Sequence, residues 1–151
     1  KINLNQIISR SLNLHKPSEE NIKFIFSKEK EFCNIMGDEE QLNRVFINLI
    51  KNAIESINEK KSKNVDFKGI INVDIKEDSD YIYLTITDNG VGFKGIDKRK
   101  MLTPYFTTKK KGSGLGLAVV TKIITEHNST ILFNSIKVGA KIEIIMPKYY
   151  D

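Results

Sequence analysis

Three groups of residues are suited to chemistry on a charged small molecule. Asn48 and Asn52 stand four residues apart, about 40° from each other on a helical wheel, so two amides line one flank of a single helix. Their oxygens can serve a polar need of the core or act as ligands to a hard cation. Asp88 ends an alternating apolar stretch and is followed by Gly90 and Gly92, which sets a carboxylate at a strand end beside backbone free of side chains. Such a carboxylate can accept a hydrogen bond from an exocyclic amine such as that of adenine, while a plain Asp-Asn-Gly turn accounts for the same residues equally well. Gly112-Ser113-Gly114-Leu115-Gly116-Leu117 runs into helical spacing, where freed backbone N–H groups and the helix dipole favour a phosphate. Lys109, Lys110 and Lys111 precede these glycines directly and can neutralise a polyphosphate. A nucleoside triphosphate carrying Mg²⁺ would unite the three groups, with Asn48 and Asn52 as oxygen ligands. Lys51 lies next to both amides and suits either that site or open solvent.

The elements that must hold these residues follow from periodicity. From Asp38 to Asn58, Leu42, Val45, Phe46, Leu49, Ile50, Ala53, Ile54 and Ile57 fill a broad apolar arc of one helix. Asp38 with Gln41 three residues later fits its cap. A lead-in helix is predicted over 2–14, strands over 21–27 and 32–36, and an exposed lysine-rich loop over 58–64. Residues 70–76 and 81–87 alternate as a hairpin around an acidic turn. Helical spacing returns over 115–126, and 130–134 and 141–146 alternate as closing strands. The segment 94–114 lacks periodicity, as a functional lid does. The order is α+β, and the economical packing is a two-layer α/β sandwich with a mixed sheet covered on one face by helices.

The 151 residues suffice for one domain with a real core. The chain begins at Lys1, as a segment excised from a longer protein would. Its net charge of +5 is mostly lysine, the arginines being Arg10, Arg44 and Arg99. No aromatic-rich basic stripe accompanies it, which argues against a nucleic-acid partner. The lone Cys33, flanked by apolar residues, reads as a small buried hydrophobe rather than a nucleophile and fits a reducing compartment. No apolar run approaches membrane-spanning length and no signal peptide is evident, so the expectation is a cytoplasmic segment without membrane contact of its own, attachment of the parent protein being left open.

Four motifs then stand in a specific order. Asn48-Leu49-Ile50-Lys51-Asn52-Ala53 resembles the N box of sensor histidine kinases, and Asp88-Asn89-Gly90-Val91-Gly92-Phe93 resembles the G1 box. Pro104-Tyr105-Phe106-Thr107-Thr108-Lys109 is similar to the F box, and Gly112 to Leu117 to the G2 box. The resemblance covers essentially the whole chain and is nearest to the nitrogen-regulation sensor kinases, through the Phe-Thr-Thr-Lys run. It implies the catalytic and ATP-binding domain with the Bergerat fold, which binds Mg²⁺-ATP and passes the γ-phosphate to a histidine on a separate dimerisation domain, and from there to a response regulator. Carried over by position, Asn52 would be the main Mg²⁺ ligand and Asn48 a second ligand or phosphate partner. Asp88 would read the adenine amine, supported by Gly90 and Gly92. Phe106, Thr107, Thr108 and Lys109 would belong to a lid from Phe93 to Lys111, with Lys109 acting on the phosphates beside Lys51. Gly112, Gly114 and Gly116 would cradle phosphates, anchored by Leu115 and Leu117.

The chain departs from the pattern in two respects. Where relatives often carry His-Gly-Gly after the G2 helix, this one has His127-Asn128-Ser129, so the turn there is expected to differ. Neither His15 nor His127 has the setting of a phosphoacceptor, and both read as structural or exposed; the acceptor domain must lie outside the segment. Hydrolases of the same fold carry Glu at the position of Asn48. An amide cannot act as a general base, which favours phosphoryl transfer to a side chain over hydrolysis. The alternative reading is an anti-sigma-like serine kinase or a degenerate ATP-binding regulatory module.

Overall fold

The computed structural model describes residues 1–16, 21–29, 33–92 and 116–149. Strand β1 (Ile2–Asn3) leads into α1 (Leu4–His15), followed by β2 (Ile22–Lys28), β3 (Asn34–Ile35) and α2 (Glu39–Lys63). Then come β4 (Gly69–Glu77), β5 (Tyr81–Asp88), α3 (Gly116–Glu126), β6 (Thr130–Ser135) and β7 (Ala140–Pro147). The five long strands form a mixed sheet in the order β2-β4-β5-β7-β6, in which β2 and β4 run parallel and the remaining neighbours antiparallel. Strands β1 and β3 make a separate two-stranded pair.

Alternation decides the layering. Ile71, Val73 and Ile75 of β4, Ile82, Leu84 and Ile86 of β5, and Ile142, Ile144 and Met146 of β7 are all buried. They share one face because successive strand residues point to opposite sides. The other face carries polar and half-buried residues such as Asn72, Asp74, Thr85, Thr87 and Glu143. Among the described residues α1, α2 and α3 cover the apolar face, giving the α+β sandwich that the sequence predicts. All eight apolar residues of the predicted arc on α2, from Leu42 to Ile57, are buried, each large one stabilising the fold by about 1.5–3 kcal/mol. Cys33 is buried among them.

Two boundaries differ from expectation. Helix α2 does not stop near Asn58 but continues through the lysine-rich run to Lys63. Glu and Lys are good helix formers, no Gly or Pro intervenes, and Lys60, Lys61 and Lys63 complement the negative end of the dipole. At its start Asp38 is the N-cap, its carboxylate accepting from Gln41 N at 3.2 Å. The first residues of the predicted lead-in helix instead pair with Asn34–Ile35. Asn3 then caps α1, accepting from Asn5 N at 3.0 Å.

Candidate functional site

Asp88 is the last residue of β5 and continues the inward register of Ile82, Leu84 and Ile86. Period-two alternation therefore turns a carboxylate toward the helix layer, where only 8% of the residue is exposed. Its Oδ1 accepts a hydrogen bond from Gly90 N at 2.9 Å, which bends the chain away from the strand.

The bend brings the loop onto α2. Val91 N donates to Ser56 O at 3.4 Å, and Gly92 N to Ser56 Oγ at 3.4 Å. A Cβ on Gly90 would lie 2.5 Å from Ser56 C and 2.7 Å from Ile57 N, so only glycine lets the strand end reach the helix backbone. Gly92 has φ +73°, and a side chain there would also strike Gly139 O at 2.5 Å. Gly139, with φ +95°, packs its own backbone against the Asp88 carbonyl with no room for a Cβ. Sequence reasoning missed Gly139, whose only signal was a glycine in a turn. It also missed Ser56, which shows no motif of its own.

Asn52 lies one helical turn before Ser56, and Asn48 one turn before that. Both are half-buried on the flank of α2, and Lys51 beside them is exposed. The glycine loop that follows Asp88 is thus seated on the same helix that carries the two amides. Among the described residues no group of three or more His, Cys, Asp or Glu could hold a metal ion. The oxygen donors on this flank of α2, Asn48 and Asn52, are neutral amides, which suits a hard cation that shares its coordination with phosphates and water rather than one caged by protein.

Gly116 and Leu117 open α3. Leu117 packs against the core, and within the described residues nothing lies within 4 Å of where a Cβ on Gly116 would stand. Phe106, Thr107, Thr108, Lys109, Gly112, Gly114 and Leu115, with the lid from Phe93 to Lys111, fall outside the described residues.

The turn after α3 is built by His127-Asn128-Ser129. Asn128 adopts φ 55°, Asn128 N donates to Thr125 O at 3.0 Å, and Ser129 N donates to Ile124 O at 3.1 Å. This is a Schellman closure with asparagine in the left-handed position that glycine usually occupies. His127 is structural: Nδ1 lies 2.7 Å from Ile123 O, and Nε2 accepts from Asp38 N at 3.0 Å. The second bond requires the tautomer that carries its proton on Nδ1. His15 likewise turns inward to its own helix, with Nδ1 2.9 Å from Ser11 O.

Comparison with known proteins agrees with this geometry. A family profile described as histidine kinase-, DNA gyrase B-, and HSP90-like ATPase matches residues 37–150. The sensor histidine kinase ZraS of Salmonella typhimurium is 38% identical over 150 residues, covering 97% of this chain and 30% of the relative. An NtrY-like sensor histidine kinase of Rickettsia conorii is 34% identical over 145 residues, covering 95% of this chain and 23% of the relative. The chain therefore spans less than a third of the curated relatives it matches. The solved catalytic domain of the histidine kinase ThkA superposes with a TM-score of 0.84 at 29% identity, covering 97% of this chain and 93% of that one. ThkA in complex with the response regulator TrrA superposes at 0.80 with 26% identity, covering 98% and 41%. No helix among the described residues is long and apolar enough to cross a membrane. With a buried carboxylate at a strand end, a glycine loop seated on an amide-bearing helix and these likenesses, the chain belongs to the histidine kinase-, DNA gyrase B- and HSP90-like ATPase family, as a catalytic domain of the histidine-kinase type.

Proposed function

We propose that the 151 residues form one domain that binds Mg²⁺-ATP and donates the γ-phosphate to a histidine on a separate dimerisation domain of the same sensor kinase. The observation that carries this is Asp88: a nine-tenths buried carboxylate at the end of β5, fixed by Gly90 N and set beside glycine backbone on the helix of Asn48 and Asn52. Asp88 accepts a hydrogen bond from the adenine amine, and Gly90 and Gly92 leave room for the base. Asn52 and Asn48 would hold Mg²⁺, which would supply neutralisation of phosphate charge. Lys51 and Lys109 add positive charge, and Phe106, Thr107 and Thr108 cover the phosphates. Gly112, Gly114 and Gly116 offer N–H groups at the positive end of α3, with Leu115 and Leu117 anchoring that helix. Asn48 cannot take a proton from water, so hydrolysis is slow and transfer awaits the acceptor.

The acceptor domain belongs to the remainder of a longer protein, as does docking to a response regulator, which the ThkA complex supports by analogy. The segment itself works in the cytoplasm and contacts neither nucleic acid nor membrane. The test supplies labelled ATP and a separate acceptor-histidine domain: acid-labile, alkali-stable phosphate is expected on that domain. Acid-stable phosphoserine would favour a serine kinase instead, and brisk ATP hydrolysis by the isolated chain would refute the phosphotransfer reading. Titration calorimetry should find that Asp88→Asn abolishes nucleotide binding and that Asn52→Asp weakens Mg²⁺-dependent binding; unchanged affinity in both would put the pocket elsewhere.

A further inference from the structure

Asn89, between Asp88 and Gly90, has every polar group engaged. Its N–H donates to Ile70 O at 3.3 Å, its Oδ1 accepts from Ile70 N at 2.7 Å, and its Nδ2 donates to Lys68 O at 3.0 Å. Its carbonyl accepts from Lys60 Nζ at 3.2 Å. Lys60 sits on the last turns of α2, and its ammonium also lies 4.6 Å from the centroid of the Phe67 ring. The aromatic face and the carbonyl oxygen together give one partly buried cation a defined seat.

The Asn89 carbonyl and the Gly90 N–H belong to a single peptide plane, and that N–H is the donor to Asp88 Oδ1 at 2.9 Å. Because the plane is rigid, whatever holds the carbonyl also sets the direction of the N–H. A cation on the carbonyl further polarises the amide and strengthens the bond it donates. A continuous chain therefore runs from ammonium through one peptide group to the carboxylate. We propose that Lys60 is a positioning residue for nucleotide recognition, aiming the Asp88 carboxylate through the Asn89–Gly90 peptide; this rests on Asp88 being the acceptor for the adenine amine. Helix α2 then serves the pocket twice, offering Asn48 and Asn52 along its flank and orienting the base reader from its end.

The test measures ADP and GDP affinity of the 151-residue chain by calorimetry. Lys60→Met keeps the methylene stem over Phe67 and removes the charge. Since hydrogen bonds to charged groups outweigh neutral ones, ADP should bind about five- to tenfold more weakly, and the preference for ADP over GDP should fall with it. Lys60→Arg, which can donate to the same carbonyl and stack on the same ring, should restore both. Lys63→Met, an exposed change at the end of the same helix, should alter neither. Equal weakening toward both nucleotides, or wild-type affinity and preference in Lys60→Met, would overturn the proposal, provided Asp88→Asn still loses ADP. Wild-type ADP binding by Asp88→Asn would instead remove the reading on which the proposal stands. Should Lys60→Met fail to fold, Phe67→Leu removes the aromatic seat and must show the same loss of preference.

Discussion

Replacing Gly90 with alanine tests how the strand end and the helix are fitted together. The added Cβ would sit 2.5 Å from the carbonyl carbon of Ser56 and 2.7 Å from Ile57 N, whereas ordinary van der Waals contact begins at 3.4 Å. The Cβ also meets Ser56 Oγ, which can rotate away, but the other two atoms in the way are helix backbone in a buried stretch flanked by Ala53, Ile54 and Ile57 and cannot swing aside as a side-chain tip would. The loop must instead lift by most of an ångström, stretching the Val91–Ser56 and Gly92–Ser56 bonds, both already 3.4 Å long. Overpacking of this kind costs about 1–3 kcal/mol, and a backbone obstacle puts Gly90→Ala at the upper end, about 2–3 kcal/mol. For a chain of this size that corresponds to a Tm lower by about 5–10 °C. Urea and thermal unfolding followed by circular dichroism measure the loss, and calorimetry with ADP should show weakened binding in the fraction that stays folded. Gly116→Ala, with no described atom in the path of its Cβ, is the matched control and should not lower Tm. Wild-type stability and ADP affinity in Gly90→Ala would refute the claim that the loop rests on the backbone of α2.

Three further outcomes follow from contacts away from that loop. His127→Ala removes partners from Asp38 N and Ile123 O and should destabilise the chain by about 1–3 kcal/mol in denaturant unfolding; a null effect would mean that water replaces the ring without cost. Asn128→Gly should be neutral or stabilising by up to about 1 kcal/mol, since φ 55° suits glycine, while Asn128→Val should lower Tm. Asp78 accepts from Tyr81 N, Asp80 N and Tyr83 Oη; the two backbone bonds first, then the tyrosine, hold its carboxyl below the ordinary range, and Asp78 in turn raises Tyr83. The Asp78 contribution to stability is thus present above the unfolded carboxylate value and fades as pH falls through the lowered one. That of Tyr83 is present below the ordinary phenol value and fades as pH rises through the raised one. Tyr83→Phe should raise the Asp78 pKa in a carboxyl NMR titration and abolish the late tyrosinate transition in ultraviolet titration.

Much of the frame was legible because it depends on local periodicity. The 3.6-residue period from Leu42 to Ile57 marks the buried face of α2 and sets Asn48 and Asn52 on its edge. The two-residue period of β5 turns Asp88 inward. The lysine-rich end of α2 reads as a loop in the sequence because polarity suggests solvent. Its helix depends on good helix formers and on Lys60 meeting Phe67 and, 29 residues along the chain, Asn89. Similarly, β1 could not be told from the start of α1, since two residues gain strand character only by pairing with Asn34–Ile35.

By itself the sequence determined the alternation of helices and strands, the apolar faces, and the residue types at the rim: two amides, a carboxylate and glycines in a fixed order. Those follow from side-chain chemistry and spacing along a few turns or strand steps. Only the tertiary structure decided that β2 pairs in parallel with β4, that Gly139 must be bare to pack on the Asp88 carbonyl, and that Gly90 lies against Ser56. It alone joined Lys60 to the peptide that holds Asp88. Such contacts link residues tens of positions apart through backbone atoms common to every amino acid, and backbone proximity leaves no pattern to be read until the chain has folded.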